Sequence, residues 1–464
     1  MASHGRINST DERRRVAIPR RSTKGPLDVD DEYVLLLTDP RLRTIGTDST
    51  HSPLAALAAQ TAPPTSSRLH SPSRPSHSPA PRSRLTSPPP SDTGLPVRLH
   101  DHAPLLKDFS FLQDASAYHV LPASTVPPPF LNAPNIPSVA SPIDTLLLSG
   151  HYRLAAIAAA RNLVANTPAT DYTTLFHLLH IRLSCLCLIN EHALAAQEAK
   201  VFGDLNSSFY YRDDGDGGAR GHLVPWELRV LVVRLAALGY GEWRKGIMGY
   251  YELARECREA FSKAEDDAEK EVWRTRLRDC GVRVANVLVE MGDLEGAGRH
   301  LAGLDAGGEE GQDTRLMETL VWLRLGDVAA ARRCLASAST STSTPDALLD
   351  GTLHALLHLA DGSPSAAVSA FSALRTTFPS DAMVAQNLAV CLLYTGRIAE
   401  ARSLLQDLVD ESAPFHSLVF NLSTIYELCT ERNREGKMEL ARKMAARRGD
   451  GGVGWEMSNA DFKL

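Results

Sequence analysis

His354 and His358 stand four residues apart, a spacing that sets two imidazoles on one helix face as in a zinc-binding HExxH helix. Ala355 occupies the place of the general-base glutamate, and no third ligand is evident, so the pair reads as ordinary helix histidines. His177 and His180 receive the same reading. Residues Gly449 to Gly454, Gly-Asp-Gly-Gly-Val-Gly, spell the dinucleotide-type GxGxxG. A pyrophosphate site needs a strand before that loop and a helix after it, whereas here a basic helical stretch precedes it and the sequence ends within ten residues. Gly241 and Gly246 have phosphate-loop spacing, but Ile247 and Met248 replace the lysine and hydroxyl residue that would hold phosphate and Mg²⁺. The seven cysteines, at 185, 187, 257, 280, 334, 391 and 429, form no CxxC pair and lie in apolar helical stretches, where they read as reduced core thiols of a cytosolic protein. The expectation is a protein that is not an enzyme, with no catalytic residue, no metal and no cofactor.

Composition points to what must instead be built. Hydrophobic residues make up 43% of the 464, but aromatics only 6%, with much alanine and leucine. Small residues let helices approach closely, which favours an all-α chain. Residues 1 to 104 carry 14 Lys and Arg against 10 Asp and Glu, and the remainder carries 35 against 45. An acidic body lacks the basic stripe that would release counterions from phosphates, so no nucleic-acid partner is expected. The N-terminal stretch MASHGRINSTDERRR is polar rather than signal-like, and no apolar run reaches the roughly 18 residues of a spanning helix. Any membrane contact is therefore expected to be peripheral.

Three regions follow from the pattern. Residues 1–105 form an arm; 12 of the 28 prolines fall between 51 and 104, with Ser, Thr and Arg, and such a segment cannot bury enough apolar area to order itself. It holds four Ser-Pro steps, at Ser52, Ser71, Ser78 and Ser87, and one apolar island, Tyr33 to Leu37. Residues 106–141 are a proline-rich leader expected to drape over the body. Residues 142–464 carry helical patterning, interrupted by a Gly/Asp-rich loop from Asp204 to Pro225 and a Ser/Thr run ending at Pro345. The acidic stretch from Ala264 reads as the continuation of one long helix.

A repeat fixes the architecture within that body. Gly292, Ala297, Leu301 and Leu304 recur 34 residues later as Gly326, Ala331, Leu335 and Ala338. Gly362, Ala367, Phe371 and Leu374 follow after 36, and Gly396, Ala401, Leu405 and Leu408 after a further 34. A glycine that ends one helix, a small residue five positions on at the helix-helix contact and two apolar residues behind it form the tetratricopeptide pattern. Weaker copies place Gly150 with Ala155 and Asn190 with Ala195. The expected fold is an all-α, right-handed α-α superhelix with a disordered N-terminal arm, the eight Gly and Ala positions from Gly292 to Ala401 setting its geometry, and residues after Phe420 forming a closing pair.

Several phrases are more specific than a generic repeat: PIDTLLLSGHYRLAA from Pro142, VPWELRVL from Val224, NLAVCLLYTGRIAEA from Asn387, FNLSTIYEL from Phe420, and DFKL from Asp461. Through them the region from Phe109 to Leu464 resembles the subunit 12 family of the trafficking protein particle (TRAPP) complex. Trp226, the loop after Asp204 and the whole arm depart from that likeness. The resemblance implies a scaffold subunit of a vesicle-tethering and Rab-GTPase exchange-factor complex in endoplasmic reticulum to Golgi traffic. Its implied partners are other large TRAPP subunits, with an indirect link to the Rab GTPase. Its implied location is cytoplasmic, peripheral at the intermediate compartment or Golgi. The family has no catalytic residue to carry over.

A second reading comes from tetratricopeptide co-chaperones, which clamp a carboxylate-ended peptide with Lys, Arg and Asn on the concave helices. At the comparable positions this sequence has Leu316, Met317, Leu353 and Leu356, with Asn387 alone polar. Those five are expected to line an apolar concave face that a partner's helix, or the 121–142 leader, would fill.

Overall fold

Six helices of the body end in one repeated hydrogen-bond pattern that lets the next helix begin at once. The computed structural model describes residues 107–134, 136–212, 221–304, 308–338, 347–447 and 456–464. The expectations for the arm, for its Ser-Pro steps and apolar island, and for Gly449 to Gly454 lie outside the described residues.

The described residues are all-helical apart from one isolated bridge, Tyr211 to His222. After a short leader helix, α1 (Pro128–Leu131), come α2 (Ile143–Leu148), α3 (Tyr152–Ala165), α4 (Tyr172–Leu188), α5 (His192–Glu198) and α6 (Trp226–Tyr240). The long α7 (Trp243–Lys263) and α8 (Asp267–Met291) are followed by α9 (Leu294–Ala302), α10 (Gly308–Leu325) and α11 (Val328–Ala338). The last three pairs are α12 (Ala347–Ala360) with α13 (Pro364–Thr377), α14 (Ala382–Tyr394) with α15 (Ile398–Glu411), and α16 (His416–Cys429) with α17 (Asn433–Ala445). Successive helices pack side by side, giving a tetratricopeptide-like stack.

At Gly150, Asn190, Gly292, Gly326, Gly362 and Gly396 the N–H of the turn residue donates to the carbonyl three residues back, and the next N–H to the carbonyl five back. This is the Schellman arrangement, which satisfies the last carbonyls of a helix and needs a left-handed residue. All six have positive φ, from 64° at Asn190 to 87° at Gly292. Gly241 has φ 66° as well, with a single bond to Ala237 O. Five residues after every turn comes a buried small residue: Ala155, Ala195, Gly246, Ala297, Ala331, Ala367 or Ala401.

Gly241 and Gly246, set aside above as a failed phosphate loop, are thus the turn and contact residues of a helix pair. Tyr250 and Leu253, both buried, complete the pattern nine and twelve positions on. A Cβ at Gly246 would lie 2.9 Å from Ala237 Cβ, so only glycine lets α6 and α7 meet at that distance.

The expectation of one long helix through Ala264 is corrected. Ala264 is extended, at ψ 131°, and α8 starts afresh at Asp267 with Asp267 and Glu269 in its first turn. Carboxylates are favourable at a helix N-terminus, so this acidic run opens a helix rather than continuing one.

The core is a series of four apolar clusters. The first gathers residues from Phe109 to Leu235, the second from Trp226 to Val287, the third from Val282 to Val321, and the fourth from Leu316 to Phe462. The leader connects the two outermost: Phe109, Leu112 and Leu121 belong to the first, Val126 and Phe130 to the fourth.

Candidate partner-binding surface

Leu316, Met317, Leu353, Leu356 and Asn387, expected to line a concave face filled by a partner's helix or by the leader, are core residues. Their exposures run from 0% at Leu353 to 7% at Met317. Four of them pack within the apolar clusters, and the cluster that holds Leu316, Leu353 and Leu356 also takes in Val126 and Phe130 of the leader. A peptide clamp has no access there. The eight repeat positions lie as described above: Gly292, Gly326, Gly362 and Gly396 in the turns, and Ala297, Ala331, Ala367 and Ala401 fully enclosed where the paired helices meet.

The chemistry-bearing side chains are equally placed. His354 and His358 are exposed, with His354 Nδ1 2.9 Å from Asp350 O. Among the described residues no three His, Cys, Asp or Glu side chains converge as a metal site would require. Burial pushes the thiols of Cys185, Cys334 and Cys391 up to about 12, which keeps them protonated and poor nucleophiles. Cys257 and Cys280 share a hydrogen bond that lowers the first and raises the second, yet neither sulfur's residue has any exposure.

What the body does present is an edge. Each of the seven left-handed turns closes the first helix of a pair, so the turns recur at every second connection of the stack. One or two positions before six of them stands an exposed apolar residue: Leu148, Leu188, Tyr240, Met291, Leu325 and Tyr394. Leu148, at 69%, and Tyr394, at 56%, are mostly solvent-facing. Single exposed apolar residues need no explanation, but these six recur within two positions of the turns, three of them two residues before and three of them one before. The sequence signal was present in the register before each turn, where apolar residues stand although a helix end exposed to water favours polar ones.

The leader is held by polar groups as well as by apolar ones. Arg182 and Glu198, 1% exposed each, form a two-pronged pair at 2.7 and 2.9 Å. Arg182 also donates to His119 O at 2.8 Å and to Ala156 O at 3.1 Å, while His119 N donates to Glu198 at 2.9 Å. A buried ion pair survives desolvation when its remaining hydrogen-bonding capacity is used, and here the leader backbone uses it. Before it, Phe109 sits in a ring cluster with Phe176 at 5.2 Å and Phe209 at 5.1 Å, and Lys107 Nζ donates to Phe209 O at 2.9 Å. The loop after Asp204 is therefore an anchor for the leader, not a mere connection; its aromatics, Phe209 to Tyr211, were the missed clue.

Residues 358–422 match the tetratricopeptide repeat family model. Tetratricopeptide repeats mediate contacts between proteins through such stacked surfaces. The chain is distantly related to trafficking protein particle complex subunit 12: it is 25% identical to the Mus musculus protein over 313 residues and 26% identical to the Homo sapiens protein over 311, in each case 61% of this chain. It spans 39% and 42% of those relatives' lengths. A solved tetratricopeptide repeat protein from Parabacteroides merdae ATCC 43184 matches 58% of this chain and 90% of its own, at 15% identity and a TM-score of 0.33. No described helix is long and apolar enough to cross a membrane.

Proposed function

We propose that this chain is a non-catalytic scaffold subunit of a multisubunit vesicle-tethering and Rab-exchange complex of the TRAPP type. In this reading it works in endoplasmic reticulum to Golgi traffic, in the cytoplasm and peripherally at Golgi-type membranes. The observation that carries it is the relationship to subunit 12 across 61% of the chain. The stacked helices supply the mechanism: a rigid body that displays one long edge can hold two partners at a fixed distance. Its partners would be other large subunits of that complex, and its link to the Rab GTPase would pass through them. The apolar turn edge, with Leu325 and Tyr394 among its exposed residues, is the surface best suited to those contacts. The co-chaperone reading has no support of its own, since the positions a clamp would use are enclosed.

Mass spectrometry of proteins co-purified with the tagged chain tests this reading. Recovery of large tethering subunits together with the small exchange-factor core is the expected outcome. Recovery of chaperones alone would overturn it. Leu325→Asp and Tyr394→Asp, made at exposed positions, should keep the helical signal and the melting temperature while reducing recovery of those subunits at least about fivefold, a loss of about 1 kcal/mol.

A further inference from the structure

Residues 456–464 do not continue the helical repeat, and most of their anchors lie far away in sequence. Asn459 N donates to Thr125 O at 2.7 Å, and its side-chain amide to Ser124 O at 2.9 Å. Arg153 Nε donates to Glu456 at 2.8 Å. Phe462 is wholly enclosed, its ring 5.9 Å from that of Phe130. On either side of it Asp461 pairs with His416, and Lys463 Nζ lies 2.6 Å from Glu427 and 5.1 Å above the Phe420 ring.

The segment also holds its own shape. Ser458 N donates to the Asp461 carboxylate at 2.6 Å, Lys463 N to Ala460 O at 3.1 Å and Leu464 N to Asn459 O at 3.0 Å. By sequence, the ten residues that join it to the last helix include four glycines, at 449, 451, 452 and 454. One enclosed aromatic, an acid met by an imidazole, a base met by a carboxylate, and backbone bonds at the far end are what a groove uses to recognise a short peptide.

We propose that the groove between residues 122–131, Arg153 and α16 is a peptide-binding site. Residues 456–464 fill it in cis, and it takes in trans a protein segment with the same order of asparagine, acid, aromatic and base. Phe130 and its neighbours form the aromatic pocket, His416 reads the acid, Glu427 reads the base, and the Ser124 and Thr125 carbonyls read the asparagine. The trans segment enters only when the cis one leaves, so the tethered segment sets the threshold for capture.

The test uses the full chain and a fluorescein-labelled synthetic peptide of residues 455–464, with fluorescence anisotropy as readout. Phe462→Ala in the chain should weaken the cis segment and raise the affinity for the added peptide about tenfold or more over the wild type, as expected when a competitor at high effective concentration is weakened. The same peptide with Phe462→Ala should not bind. No peptide binding by a folded Phe462→Ala chain would overturn the site. Hydrogen exchange on the wild-type chain decides the matter if that variant does not fold. The amides of Asn459 and Leu464 should exchange well before those of α14, and equal protection would mean an integral part of the core and would sink the proposal. Concentration-dependent dimers of the Phe462→Ala chain mixed with wild type would support the site and name a second copy as donor.

Discussion

At the scale of single residues, polar groups hold this chain at positions where apolar patterning alone would not. The Arg182–Glu198 pair is enclosed and fixes His119 from both sides of its peptide. Glu198→Ala would leave the guanidinium buried without its counter-ion, and should lower the unfolding free energy by about 3–5 kcal/mol in urea titrations. Asp461 behaves differently with pH. Burial opposes its ionisation, but the His416 partner and the Ser458 hydrogen bonds win and hold its carboxyl below the ordinary value. Its contribution to stability is then complete above the usual carboxylate range, about pH 4, and is lost as pH falls through the lowered native value. The gap in melting temperature between the wild type and Asp461→Asn should therefore be widest near neutrality and close on acidification. Glu456 has the opposite sign, since burial outweighs Arg153 and pushes its carboxyl up, so its favourable share is present in acid and declines as pH rises.

At the scale of elements, the left-handed turns decide the stack. Gly396 has φ 77°, where a β-branched side chain is strained, while Asn190 fills the equivalent turn at φ 64° without glycine. Gly396→Val should cost about 1–3 kcal/mol, and Gly396→Asn clearly less, in thermal or urea unfolding. Gly239 sits in α6 where an added Cβ would meet Ala196 Cβ at 2.1 Å and His192 O at 2.9 Å. Gly239→Ala should push α6 off α5 and cost about 1–3 kcal/mol despite the better helix propensity of alanine. The four strong repeats were legible because glycine and alanine fall at a fixed spacing. The pair at Gly241 was not, because its contact residue is a second glycine and its neighbours lie 51 residues away on each side rather than 34. The break at Ala264 was also hidden: helix-favouring residues run straight through it, and only the new helix's acidic first turn announces it.

At the scale of the whole molecule, the all-α repeat was readable from periodicity, while the route of the leader was not. Phe109 and Phe130 are 21 residues apart and sit in clusters at opposite ends of the series. Nothing in a proline-rich stretch states which helices will receive its aromatics, since that depends on how far the stack has curved by its last pair. The concave face failed for the same reason: apolar residues at inner positions look alike whether a partner or the next helix covers them. A chain whose two ends are fastened should lose cooperativity when unfastened. Asn459→Ala with Arg153→Ala should leave the helical content unchanged but broaden the urea transition, as the end repeats begin to open on their own.

The crossing of the leader with residues 456–464 also sets how this body carries a load. In an open solenoid, a pull on the two ends stretches the stack as it would a spring. Here the leader and the last residues meet at Thr125 and Asn459, so tension applied through them runs across that junction and bypasses the seventeen helices from α1 to α17. The stack keeps its length under strain until the junction parts, and then it yields all at once.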